Sequence, residues 1–152
     1  MMKQLFTVTC VALGVLVLSI STASAMPKFS KAFEEKYVKN SDSDSLKAEF
    51  RKAKCNTCHV KGEKKDVNND YGKVLAEFIP GDAAARLKAA NDTGADADES
   101  AALKAAEEDK ILKELDEAFK KAEEEKSPTG ETFGERIKAG KLPQEVVEKK
   151  EE

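Results

Sequence analysis

From residue 27 onwards the apolar positions of this chain recur at helical spacing. Phe29, Phe33 and Tyr37 fall four residues apart, which puts three aromatics on one face of a first helix. Residues 40–45, NSDSDS, read as a loop rich in N-caps for a second helix, whose Leu46, Phe50 and Ala53 share a face as it runs towards residue 55. Residues 61–70, KGEKKDVNND, are polar and read as a loop. Val74, Leu75, Phe78 and Ile79 predict a short helix stopped by Pro80-Gly81, and Asp82 is placed to cap another that carries Leu87. An acidic connector, residues 91–98, leads to the longest helical signal, residues 99–126, with Leu103, Leu112, Leu115, Phe119 and Ala122 on one stripe. Ser127-Pro128-Thr129-Gly130 ends it, and a short helix with Phe133 and Ile137 follows. Beyond the leader no segment alternates as a strand does, so the fold class predicted is all-α. Large apolar side chains are few for this length, and so thin a core would benefit from a buried cofactor.

The chain's start changes the picture of compartment. Lys3, the apolar run from Leu5 to Ile20 and Ala23-Ser24-Ala25 have the form of a signal peptide cleaved after Ala25. The run is shorter than the ~20 residues of a spanning helix. The expected organisation is a leader over residues 1–25, one helical domain over residues 26–143, and a disordered charged tail over residues 144–152. The expected location is periplasmic or otherwise exported, without stable membrane insertion once the leader is gone. The net charge is −3, from 26 Lys+Arg and 29 Asp+Glu, and it is unevenly spread. Residues 28–65 hold 11 basic and 6 acidic side chains, whereas residues 66–152 hold 14 and 23. Such a split bears on docking rather than on fold, and no nucleic-acid partner is expected.

The candidate chemistry lies in residues 52–62, KAKCNTCHVKG. His59 is the single histidine, and of the 3 cysteines Cys10 belongs to the leader. Cys55, Cys58 and His59 are therefore all that an exported chain offers in thiol and imidazole. A zinc site wants four ligands of this type. A thioredoxin-like dithiol expects a preceding strand, and here the charged helix KAEFRKAK precedes. A disulfide across so short a loop stabilises little and leaves His59 unexplained. C-x-x-C-H is the attachment pattern of c-type haem: on a helical turn the two thiols face one porphyrin edge, and the histidine supplies the proximal iron ligand.

On CNTCH, the preceding aromatic-bearing helix and the later long amphipathic helix, the chain resembles the mono-haem c-type cytochromes, as a small exported bacterial cytochrome c-like protein. The Asn69-Asp70-Tyr71-Gly72 segment is similar to an N-x-Y-G segment that follows the motif in some small bacterial cytochrome-like domains. The resemblance implies one covalent haem c per chain, held by Cys55 and Cys58 with His59 on the iron, and one-electron transfer rather than enzymatic turnover. It also implies a redox partner protein, for which the basic surface of Lys52, Lys54, Lys61, Lys64 and Lys65 is the expected dock. The chain departs from that family in its sixth ligand, since it has no methionine after Met26 and no second histidine. Either the iron is five-coordinate or Met26, a lysine, the N-terminal amine, Tyr71 or an asparagine binds it. An open distal site gives the alternative function, a haem module that binds or senses NO or CO. Residues 66–77 also place Asp66, Asn68, Asp70 and Glu77 as in an EF-hand loop, but with Tyr71 where the turn needs glycine; the competing reading is an Asx-rich turn capping the next helix.

Overall fold

The structure, a computed structural model, describes residues 27–149; the expected leader over residues 1–25 and the candidate ligand Met26 lie outside the described residues. The expected all-α class is what the chain adopts. Among the described residues the order is α1 (Pro27–Phe33), which continues as a wider π turn over Glu34–Val38, then α2 (Asp44–Ala53), a 3-10 turn (Lys54–Thr57), α3 (Asp70–Phe78), α4 (Ala83–Thr93), α5 (Ala97–Ala122) and α6 (Phe133–Lys138). Extended pairing is confined, within these residues, to isolated bridges. No described helix is long and apolar enough to cross a membrane.

The caps explain the boundaries. Ser43, Asn69, Asp82 and Asp96 each accept a hydrogen bond from a first-turn N–H of the helix they precede, and Thr132 and Glu135 form a reciprocal capping box on α6. Asp96 starts α5 earlier than the expected residue 99. The helix also ends earlier than residue 126, because the carbonyls of Glu123 and Glu125 turn aside to accept from Gly134 and Phe133.

An aromatic cluster forms the core. The Phe33 ring lies 5.0 Å from Tyr37, 5.6 Å from Phe50, 6.1 Å from Tyr71 and 5.9 Å from Phe119, and Tyr71 lies 5.0 Å from Phe133. The aromatic stripe of the first helix thus packs on the long helix, as its spacing suggests. Leu103 differs from expectation: it is 37% exposed, while Ile111, Leu115, Ala118, Phe119 and Ala122 carry the buried stripe. The helix packs on α4, whose single large apolar side chain is Leu87.

The segment expected as a disordered tail also differs. Gln144 is buried; its Oε1 accepts from the Tyr71 N–H at 3.0 Å, and its Nε2 donates to Asp70 Oδ2 at 3.3 Å. Further on, the Lys61 N–H donates to the Val147 carbonyl at 2.7 Å and the Lys149 N–H to the Lys61 carbonyl at 2.9 Å. Residues 144–149 are therefore strapped across the loop that follows His59. These backbone bonds outweigh the charged composition that suggested fraying.

Candidate haem site

The motif begins where α2 ends. Lys54 takes φ 46° and ψ −113°, a conformation that favours glycine and costs about 1–3 kcal/mol in other residues. This reversal breaks α2 and starts the 3-10 turn. At three residues per turn, positions i and i+3 eclipse, so Cys55 and Cys58 stand on one side. The Cys55 carbonyl accepts from both the Cys58 and His59 N–H groups at 3.2 Å. Both cysteines are free thiols and half-buried.

Cys55, Cys58 and His59 line one cleft of about 770 Å³, counting its open mouth. The opposing wall is apolar: Phe29 and Phe33 from α1, Leu75 and Ile79 from α3 and its end, and Leu115 and Phe119 from α5. Lys54, Thr57 and Asn68 supply the polar edge.

His59 is 7% exposed. Burial first, then the nearby Lys65 ammonium, lower its pKa, against the opposing pull of the Val67 backbone and the Asn68 side chain. The ring is neutral at neutral pH, the state in which imidazole binds metals. Its Nδ1 is buried without a hydrogen-bond partner, and so is the Thr57 hydroxyl. Buried polar atoms left unpaired cost about 1–3 kcal/mol each, and two of them beside an apolar cleft mark a place where a further group belongs. Burial, with Cys55 beside it, pushes the Cys58 thiol up to about 12, so it is a neutral thiol at neutral pH. The donor set, its convergence and the apolar wall fit a covalently held haem, with Cys55 and Cys58 as anchors and His59 as iron ligand.

The other candidates are placed less centrally. Tyr71 is buried in the aromatic core and is not among the side chains lining the cleft, although its hydroxyl has no partner there. Of the lysines, Lys54 lines the cleft, Lys61 pairs with Glu148 at 2.8 Å and Lys65 donates to Asn56 Oδ1 at 2.9 Å. Lys52, Lys54, Lys61, Lys64 and Lys65 are all exposed. Residues 66–77 do not form a calcium loop: α3 already starts at Asp70, so Asp70 and Glu77 sit seven residues apart on one helix, about 10 Å along its axis. The Asx-rich turn capping that helix is what the segment makes.

Two residues of the N-x-Y-G likeness shape the site in ways the sequence did not tell. Asn69, 2% exposed, caps α3 and also reaches back to the motif. Gly72 lets α3 approach it, for a Cβ there would stand 2.1 Å from the Cys58 carbonyl oxygen. The Asn-x-x-Gly pattern could have flagged the cap, but the contacts across to the motif are tertiary. In comparisons with known proteins, no family model, no curated protein and no solved structure matches the chain.

Proposed function

We propose that the chain is an exported mono-haem c-type cytochrome-like protein that transfers single electrons. The observation that carries this reading is the convergence of Cys55, Cys58 and the buried, neutral His59 on one apolar-walled cleft. Haem bound there would supply the one-electron couple. The chain's own part is to anchor through the two thiols, hold the imidazole and keep water from most of the cofactor with the α1, α3 and α5 side chains. The exposed lysines beside the motif would steer an acidic redox partner, an on-rate effect that falls as salt rises. The test is the intact mass and absorption spectrum of the full chain, produced in a host that exports it and attaches haem c. A covalent haem mass with a ferrous c-type spectrum is expected. A chain of apoprotein mass without haem absorbance overturns the reading.

A second reading, reversible binding of NO or CO, is favoured by one feature. The wall formed by Leu75, Ile79, Leu115 and Phe119 offers neither a thioether nor a second imidazole. Adding CO to the ferrous protein separates the two. A rapid spectral change supports an open site, and an unchanged spectrum supports a firm sixth ligand with electron transfer alone.

A further inference from the structure

We propose that Asn69 is a positioning residue that sets the Cys55–His59 backbone for haem attachment, an inference that rests on the haem reading above. Its side-chain Nδ2 donates to the Thr57 carbonyl at 3.1 Å and to the Asn56 carbonyl at 3.4 Å, and its backbone N–H donates to the Cys58 carbonyl at 3.0 Å. Three successive carbonyls of the motif are thereby held by one buried residue. The remaining side-chain polar atom, Oδ1, accepts from the Gly72 N–H at 2.9 Å and so ties the clamp to α3.

The motif needs this support. It starts from the strained Lys54, and the end of its turn is closed by two bonds of 3.2 Å onto the Cys55 carbonyl. Without the Asn69 amide, the Thr57 carbonyl would lose this partner in a buried setting, and of the three holds on the motif only the backbone N–H bond to the Cys58 carbonyl would remain. An amide suits the place because one nitrogen donates two hydrogens to the carbonyls while a separate oxygen caps the helix. Aspartate keeps an oxygen that can cap α3 but brings no donor to the carbonyls, and serine offers one hydroxyl hydrogen on a shorter side chain in place of the two on the amide nitrogen.

Asn69→Ser and Asn69→Asp separate the clamp from the cap. Both are expected to keep wild-type helicity and a cooperative melt. In the haem-free full chain, amide exchange at residues 57–59 should quicken about tenfold or more, as expected for the loss of two hydrogen bonds. In chains exported with haem attachment, the covalently loaded fraction should fall several-fold in both variants. Exchange at residues 57–59 equal to wild type overturns the clamp. Faster exchange with wild-type loading also overturns it, since Asn69 would then be structural only. Failure of the haem reading itself is read separately, from the mass of the wild-type chain. Should Asn69→Asp not fold because of its carboxylate beside the carbonyls, Asn69→Ser carries both measurements.

Discussion

Replacing Gly72 by alanine pits two physical effects against each other with opposite signs. Gly72 lies inside α3, where alanine is favoured over glycine by about 1 kcal/mol. The structure predicts the reverse. A Cβ would stand 2.1 Å from the Cys58 carbonyl oxygen, 3.0 Å from its carbon and 3.1 Å from Asn68 Cβ. The nearest of these atoms are backbone and cannot swing away, so the overlap itself costs about 1–3 kcal/mol. Relief requires α3 to withdraw from the motif. That breaks the Asn69 N–H bond to the Cys58 carbonyl at 3.0 Å and the Asn69 amide bond to the Thr57 carbonyl at 3.1 Å. Each is worth about 1 kcal/mol net. The overlap and its relief are alternative costs, and with the helix preference set against either, Gly72→Ala should destabilise the haem-free chain by about 1–2 kcal/mol. Equilibrium urea unfolding should show the midpoint falling by roughly 0.5–1 M. Gly130→Ala is the control: its φ of 92° disfavours alanine, but nothing stands within 4 Å of the added Cβ. A Gly72→Ala chain as stable as wild type, or more stable, would refute the close approach of α3 to the motif.

Three further outcomes follow from the packing. Leu115→Ala should cost about 2–5 kcal/mol and Leu103→Ala under about 0.5 in urea unfolding, because one is fully buried and the other 37% exposed on the same helix; equal costs would place both in the core. Both tyrosines have phenol pKa values raised above 10, mainly by burial, with Tyr37 also donating to Glu123 Oε1 at 2.6 Å. The folded chain therefore keeps protons that the unfolded chain sheds, so their contribution is complete below pH ~10 and is lost as pH rises above it. Tyrosinate absorbance should appear together with loss of helical signal, and titration near pH 10 in a still-folded chain would contradict their burial. Gln144→Ala leaves the Tyr71 N–H without its acceptor and should cost about 1–3 kcal/mol while speeding amide exchange at Lys61 and Tyr71; unchanged exchange at both would mean that residues 144–149 do not strap the loop.

The sequence carried the helices because their signals are local. Ser43, Asp82 and Asp96 lie next to the N–H groups they cap, and Phe33 with Tyr37 reveals its face by spacing alone. CNTCH was equally legible, since its residue types lie within five consecutive positions and the 3-10 turn puts them on one side. Contacts between distant segments were not legible. Nothing in the charged string from Gln144 onwards tells that Lys61 offers it an N–H and a carbonyl. Leu103 matched the period of the buried stripe, yet burial depends on what lies opposite, and the helix packs on the alanine-rich α4. Gly72 stood out only within the N-x-Y-G likeness, and the spacing could not tell why a glycine is needed, because its reason is a carbonyl fourteen residues earlier.

The thinness of the apolar composition suggested a core that leans on a cofactor, and the aromatic cluster argues otherwise. Phe33, Phe50, Tyr71, Phe119 and Phe133 are each at most 4% exposed and pack in a continuous chain of rings. Aromatic pairs of this kind add about 0.5–1.5 kcal/mol each beyond the area they bury. Only Phe33 and Phe119 of that cluster also face the cleft. The cleft is thus a wall of the core rather than its centre, and the fold should form without haem. A Cys55→Ala, Cys58→Ala chain, which cannot attach haem covalently, tests this directly. Cys58 packs partly buried against the cluster, so the double variant should lose about 1–2 kcal/mol, as for small core truncations. It should keep its far-ultraviolet helical signal and melt in a single cooperative transition. A chain that keeps helicity but melts without cooperativity and binds an apolar dye would behave as a molten globule. That result would make the cofactor part of the core, and the aromatic cluster insufficient to fix the fold.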